Sequence, residues 1–193
     1  MNILDQLKPL SEIGVADIRT KSTMSYFDVP AGTQDDHTLA KHHEGVARLQ
    51  LVASVPDEVA VSFEVVRNLY LYSFFVYRFS VVACTQAFQT LEYALRERAN
   101  LESVQIKSGL AAHLKFAVEN GWFFDAAFAY RGINPKVPTN VYSKTLVKTI
   151  PGLRNELAHG SFTLFPPHEA FRQIEICASI INFVFEKPLQ PLD

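Results

Sequence analysis

Only two cysteines, Cys84 and Cys177, occur in 193 residues, and they lie far apart in apolar, helix-period segments. That leaves no CxxC cluster, no disulfide framework and no thiolate set for a structural metal. Both are expected as buried free thiols in a reducing compartment. The chain also lacks a GKS/T phosphate loop, a paired-carboxylate dyad and a recognisable Ser-His-Asp order. Charge is sparse and balanced: 18 Lys and Arg against 20 Asp and Glu give a net charge of −2. This excludes a strongly basic nucleic-acid coat but leaves room for a local basic site. No basic-then-apolar-then-small export signal opens the sequence, so a cytoplasmic location is expected. The apolar stretch from Leu69 to Phe88 carries Arg78 at its middle and Gln86 near its end. A charge at the centre of a bilayer costs at least ~2.5 kcal/mol, so a core helix is expected and no membrane span.

What is present is apolarity at helical spacing. Hydrophobic residues make up 48% of the chain, ample for one buried core. No strand-period alternation or internal repeat appears, and an all-α fold follows. Residues 2–8 read as a short helix ended by Pro9, and residues 19–36, with Ser, Thr, Asp, Gly and Pro, as a loop. A helix is predicted over Thr38 to Leu49 with Asp36 as its candidate cap. Pro56-Asp57-Glu58 opens the next, with its acids in the first turn. From Glu58 to Ala99 there is neither Gly nor Pro. A single straight helix of that length would run roughly 63 Å at ~1.5 Å per residue, against a radius of gyration of ~16 Å for a compact chain of this size. Two helices are therefore predicted, broken near Leu71 to Phe75 with Ser73 as pivot. In the second, Tyr77, Val81, Cys84, Phe88, Leu91 and Leu95 form a packed seam. A neighbouring stripe starts as core at Phe75, Phe79 and Val82 and turns polar at Gln86, Gln89, Tyr93 and Arg96. Leu110 to Asn120 is a short amphipathic helix. Trp122, Phe123 and Phe124 could stack bases but are better read as core. After breaks at Gly132, Pro135 and Pro138, one helix is predicted over 139–150 and a short one over Gly152 to His159. A final helix runs from about His168 to Phe185, with its seam at Phe171, Ile174, Ala178, Ile181 and Phe185.

The chemistry concentrates late in the chain. Arg131, Lys136, Lys144, Lys148 and Arg154 follow one another with no Asp or Glu between them, a pattern suited to phosphate binding. Arg154-Asn155-Glu156-Leu157-Ala158-His159 then places a guanidinium, an amide and an imidazole within about two helical turns. Asn155 and His159 share a helical face; Arg154, five before His159, points partly away. Gly160 reads as a helix stop. Cleaving RNA without a metal requires a base for the ribose 2′-OH, an acid for the leaving 5′ oxygen and a cation for the phosphoryl oxygens. His159 suits the proton transfers, Arg154 the phosphate, and Asn155 the orientation of ring or RNA. Arg131, Lys144 and Lys148 are the candidate RNA- and phosphate-binding residues. Glu92 and Arg96 are spaced for a helical salt bridge. They are read either as a surface pair or as support for the motif. His37, His42 and His43 lack the i, i+4 spacing of a zinc helix and read as solvated; His113 and His168 read as surface or cap residues. No metal or cofactor is expected.

Arg154-Asn155-x-x-x-His159 resembles the RNxxxH form of the Rx4–6H motif of the HEPN superfamily (higher eukaryotes and prokaryotes nucleotide-binding). The long apolar helix with Gln89-Thr90-Leu91-Glu92-Tyr93-Ala94-Leu95-Arg96, the short helix after it and the single helix beyond the motif are similar to a HEPN bundle. The resemblance spans roughly residues 56–187. It implies an antiparallel bundle of four to five helices there; residues 1–55 lie outside it and read as an extension of loop and short helices, and 188–193 as a tail. It further implies a homodimeric, metal-independent endoribonuclease with two motifs facing each other across a two-fold axis. The setting would be toxin–antitoxin, phage defence or another stress response, with an antitoxin or nucleotidyltransferase as a partner. HEPN toxins modified on tyrosine by their partner carry Tyr two residues after the His; Ser161 stands there in this chain. Two rival readings remain: a non-catalytic module binding a nucleotide, RNA or a protein, and a scaffold for the N-terminal segment.

Overall fold

The computed structural model describes residues 5–24, 26–28, 33–35, 37–134, 136, 139–159 and 165–186. The chain runs through α1 (Ile18–Met24), an antiparallel ribbon of β1 (Tyr26–Asp28) and β2 (Thr33–Asp35), α2 (Leu39–Ala47), α3 (Asp57–Tyr72), α4 (Phe79–Leu101), α5 (Leu110–Glu119), α6 (Val141–Ala158) and α7 (Pro167–Glu186). The ribbon pairs Tyr26 with Asp35 and Asp28 with Thr33. The architecture is a helical bundle. Its spine is α4, packed chiefly between α3 and α7 and more lightly on α5 and α6. No helix among the described residues is long and apolar enough to cross a membrane.

The seam expected along α4 is its core face: Cys84, Phe88, Leu91 and Leu95 are fully buried, as is Tyr77 just before the helix. The neighbouring stripe is different. Phe79 is 37% and Val82 48% exposed, so the expectation that this stripe begins as core is corrected. Those residues lie about 160° round the helix from the seam. The second buried row is instead Ser80, Ala83, Ala87 and Ala94. Small side chains there let two helix axes approach closely. Cys84 and Cys177 are both buried free thiols; burial pushes the Cys84 thiol up to about 12 and holds the Cys177 thiol well above its usual range.

The end of α4 is locked by a buried ion pair that sequence reading missed. Arg98 Nη2 lies 2.6 Å from Glu102 Oε1 with both side chains nearly inaccessible. Arg98 Nη1 also donates to the Val184 carbonyl of α7 at 2.9 Å. Trp122 Nε1 donates to Glu102 Oε2 at 2.8 Å. Each member has its polar atoms partnered, the condition under which burying charge is tolerated.

The predicted break between α3 and α4 occurs at 73–78. Ser73 Oγ donates to the Tyr70 carbonyl at 2.6 Å, turning the chain out of the helix. The elbow leaves backbone groups that the N-terminal segment satisfies. Asp17 N donates to the Phe74 carbonyl at 2.9 Å. Thr20 Oγ1 donates to Ser73 O at 2.9 Å, and Tyr77 N donates to Asp17 Oδ2 at 3.3 Å. Burial raises Asp17, but its Arg19 partner outweighs this and holds the carboxyl below its ordinary range. Arg78, the charge within the apolar stretch, projects from the elbow to Asp5 at 3.0 Å.

Several sequence expectations need correction here. Residues 19–36 are not simply a loop: α1 and the ribbon occupy most of them. The predicted helix over 2–8 lies partly outside the described residues; a 3-10 turn at Leu10–Glu12 follows Pro9 instead. Asp36 also lies outside them. The cap of α2 is Thr38, whose hydroxyl accepts from Lys41 N at 3.3 Å. His42 is buried at 2% exposure, not solvated. Its Nε2 lies 2.9 Å from the Tyr70 carbonyl. A carbonyl only accepts, so that nitrogen carries the proton and Nδ1 of the neutral ring accepts from His37 Nε2 at 3.0 Å. The ring also stacks on Tyr70. His113 is likewise buried, while His43 and His168 are exposed. Trp122 and Phe123, expected as core, are both buried; Phe124 packs edge-on against Phe183 at 4.9 Å between centroids.

Burial lowers the His42 pKa from its usual 6.5, against the upward pull of the Tyr70 carbonyl. Burial likewise lowers His37. The unfolded chain therefore binds more protons than the folded one just below pH 6.5. The stability held by this pair is full above that pH and is lost as pH falls through the depressed folded values. Urea unfolding should show a falling midpoint from pH 7.5 to 5, and His42→Asn should lower the midpoint at pH 7.5 while flattening the slope.

Candidate functional site

The motif and most of the cations ride on α6, so its placement decides the site. Its start is fixed from a distance. Asp125 sits in the 3-10 segment Asp125–Arg131 and is 3% exposed. Its Oδ1 accepts from Ser143 N and Ser143 Oγ, each at 2.8 Å. Its Oδ2 accepts from Thr139 Oγ1 at 2.7 Å and Tyr142 N at 3.2 Å. Burial pushes this carboxyl up, but the Thr139 hydroxyl and the Ser143 and Tyr142 donors outweigh it and hold it below the ordinary range. The carboxylate serves as the cap that Asn140 does not provide.

The two helices expected over 139–150 and 152–159 are one. α6 runs unbroken from Val141 through Pro151 to Ala158. An interior proline costs a helix ~3 kcal/mol. Buried Leu146 and Ile150, with Leu153 and Leu157 packed on the core, hold the helix together across it.

A regular helix turns about 100° per residue. Lys144, Lys148, Asn155 and His159 then fall within an arc of about 60°, opposite the inward row of Leu146, Ile150, Leu153 and Leu157. All four are exposed. Arg154 is half-buried and set about 140° round from His159. Its Nη1 donates to Asn155 Oδ1 at 3.3 Å. Among the described residues the His159 imidazole has no hydrogen-bond or charged partner. One chain therefore joins Arg154 to Asn155 and leaves His159 turned outward. Gly160 to Leu164 lie outside the described residues.

The lysines border a groove between α5 and α6 of about 730 Å³, lined by Lys115, Val118, Glu119, Asn140, Lys144 and Lys148 among others. Lys115 was not singled out from sequence; only the α5–α6 pairing brings it beside the others. It also reaches Glu119 at 3.8 Å on the exposed surface, a pairing of little energetic weight. Arg131 does not line the groove. Its guanidinium lies 5.4 Å over the Tyr142 ring. The expected Glu92–Arg96 salt bridge is absent among the described residues: Arg96 lies over the Tyr93 ring at 5.0 Å. Both residues instead border a separate cavity with His113. No group of three or more His, Cys, Asp or Glu suited to a metal occurs among the described residues.

Comparison of the chain with protein-family models, with curated proteins and with solved structures returns no match.

Two substitutions separate positioning from packing. Asp125→Ala strands buried donors at the start of α6 and should cost about 2–3 kcal/mol, lowering Tm by roughly 4–12 °C for a chain of this size. Its stabilising effect should be full above pH 3.8 and fade as pH falls through its lowered folded value. His159→Ala removes an exposed side chain and should change stability by less than about 0.5 kcal/mol. Thermal melts monitored by circular dichroism measure both.

Proposed function

We propose that the protein is a metal-independent endoribonuclease of HEPN type, acting as a homodimer in a toxin–antitoxin, phage-defence or stress-response setting. The observation that carries this reading is the outward face of α6, where Lys144 and Lys148 lead along one stripe to Asn155 and His159, all exposed. Cations along such a stripe hold successive phosphates without reading sequence. The imidazole at its end then meets the ribose-phosphate link. One His159 removes the 2′-OH proton as that oxygen attacks phosphorus. A second His159, from the other copy, protonates the departing 5′ oxygen, leaving a 2′,3′-cyclic phosphate. Arg154 neutralises the phosphoryl oxygens, and Asn155 holds the guanidinium through the 3.3 Å contact. The divergence of Arg154 and His159 on one helix fits a site composed from two copies, each guanidinium serving the other chain's imidazole.

The same divergence favours a second reading. If no second copy restores the encounter, the α6 stripe is a non-catalytic RNA-binding face. One experiment separates the two. Arg154→Ala and His159→Ala should each abolish cleavage of total RNA, in the presence or absence of EDTA. Mixing equal amounts of wild type and His159→Ala and allowing subunit exchange should leave roughly a quarter of the activity of the same total amount of wild type, because only the quarter of dimers built from two wild-type chains holds both imidazoles. Wild-type protein that binds RNA without producing cyclic-phosphate ends would leave the binding reading in place; loss of cleavage on chelation would exclude the mechanism.

A further inference from the structure

A cavity of about 370 Å³ opens where the second half of α4 meets the 102–109 connection and the first turn of α5. Ligand pockets span ~300–1,000 Å³, so it suits a small ligand. Its wall includes Glu92, Arg96 and His113 beside Ala99 and Ile106. Glu92 and Arg96 stand four apart yet form no ion pair among the described residues, because the guanidinium rests 5.0 Å over the Tyr93 ring. A carboxylate and a guanidinium thus border one cavity without being joined to each other.

His113 supplies the second, independent observation. It is only 5% exposed, and its Nδ1 lies 2.9 Å from the Gly109 carbonyl. The carbonyl accepts, so Nδ1 carries the hydrogen and Nε2 of the neutral ring is a bare acceptor. Among the described residues nothing donates to that nitrogen, and no buried side-chain nitrogen or oxygen is left unpartnered out of reach of solvent. Nε2 therefore opens on the cavity that the ring lines.

We propose that this cavity binds a guanine base. Guanine presents two adjacent donors, N1–H and the N2 amino group, beside the O6 acceptor on its Watson–Crick edge. The Glu92 carboxylate receives the donor pair in parallel, Arg96 donates to O6, and His113 Nε2 accepts the remaining N2 hydrogen. Adenine places one donor beside one acceptor on that edge, and cytosine and uracil lack the adjacent donor pair, so each leaves an acceptor of the cavity unsatisfied. Ala99 and Ile106 supply apolar contact to the base. The base belongs to a free guanine nucleotide or to a guanosine in single-stranded RNA; the recognition is the same.

The test uses the full chain carrying His159→Ala, so that RNA stays intact and the outcome does not depend on cleavage. Calorimetric titration with GMP and AMP is paired with anisotropy titration of two labelled RNA oligomers that differ by one G→A change. The guanine form of at least one pair should bind roughly five- to 150-fold more tightly, the discrimination a bidentate contact supplies. Glu92→Gln should remove that preference, and Arg96→Gln should reduce it, with the circular dichroism spectrum unchanged. Preference in the GMP pair identifies the free nucleotide as a source, and preference in the RNA pair alone identifies RNA. Equal binding within both pairs, or a preference that survives Glu92→Gln, overturns the proposal.

Discussion

The Asp125 carboxylate is the contact on which the placement of α6 depends. It is 3% exposed and gathers two amides and two hydroxyls from the loop and first turn of the helix. A helix start otherwise leaves several N–H groups unpaired, and a buried one is costly. Meeting those donors with a charged acceptor from another segment sets both the position and the rotation of α6. The rotation matters most: it turns Leu146 and Ile150 inward and therefore Lys144, Lys148, Asn155 and His159 outward.

A similar logic holds the α3–α4 elbow. Breaking a long helix releases carbonyls and amides, and here the N-terminal segment takes them up through Asp17, Thr20 and His42. The segment is thus part of the bundle's hydrogen-bonding rather than an appendage. His42 bears the cost of that role. It must stay neutral to donate to Tyr70 while accepting from His37, and burial enforces that state.

Features set by local rules were legible in the sequence. The Cys84–Phe88–Leu91–Leu95 seam follows from helical spacing, the break near Ser73 from length alone, and the last helix from its apolar period. Features set by distant partners were not. Nothing near Asp125 in sequence marks it as the cap of a helix sixteen residues on, and composition alone cannot bury His42 or His113. The single helix through Pro151 was missed because local chemistry there favours a break, and tertiary packing of Leu153 and Leu157 outweighs it. Phe79 and Val82 were misplaced because apolar residues at helical spacing mark a row without saying which row faces inward. Of the candidate site, the order and shared face of Asn155 and His159 could be read from spacing; Lys115 and the engagement of Arg96 by Tyr93 required the fold.

The continuity of α6 through Pro151 also limits how the motif can work. Had the chain broken there, a short helix over the motif could have been reoriented to swing Arg154 toward His159. As one rigid rod anchored at Asp125 and seated by four apolar side chains, α6 fixes the two about 140° apart. A long guanidinium side chain spans part of that angle, but it starts half-buried beside the core and is already engaged with Asn155. Bringing the cation to the imidazole within one chain would mean breaking that contact and crossing the exposed surface of the helix. Supplying it from a second copy requires neither. The same rigidity that separates the two groups in one subunit would keep each in a fixed place at an interface, which is what a two-histidine transfer of protons needs.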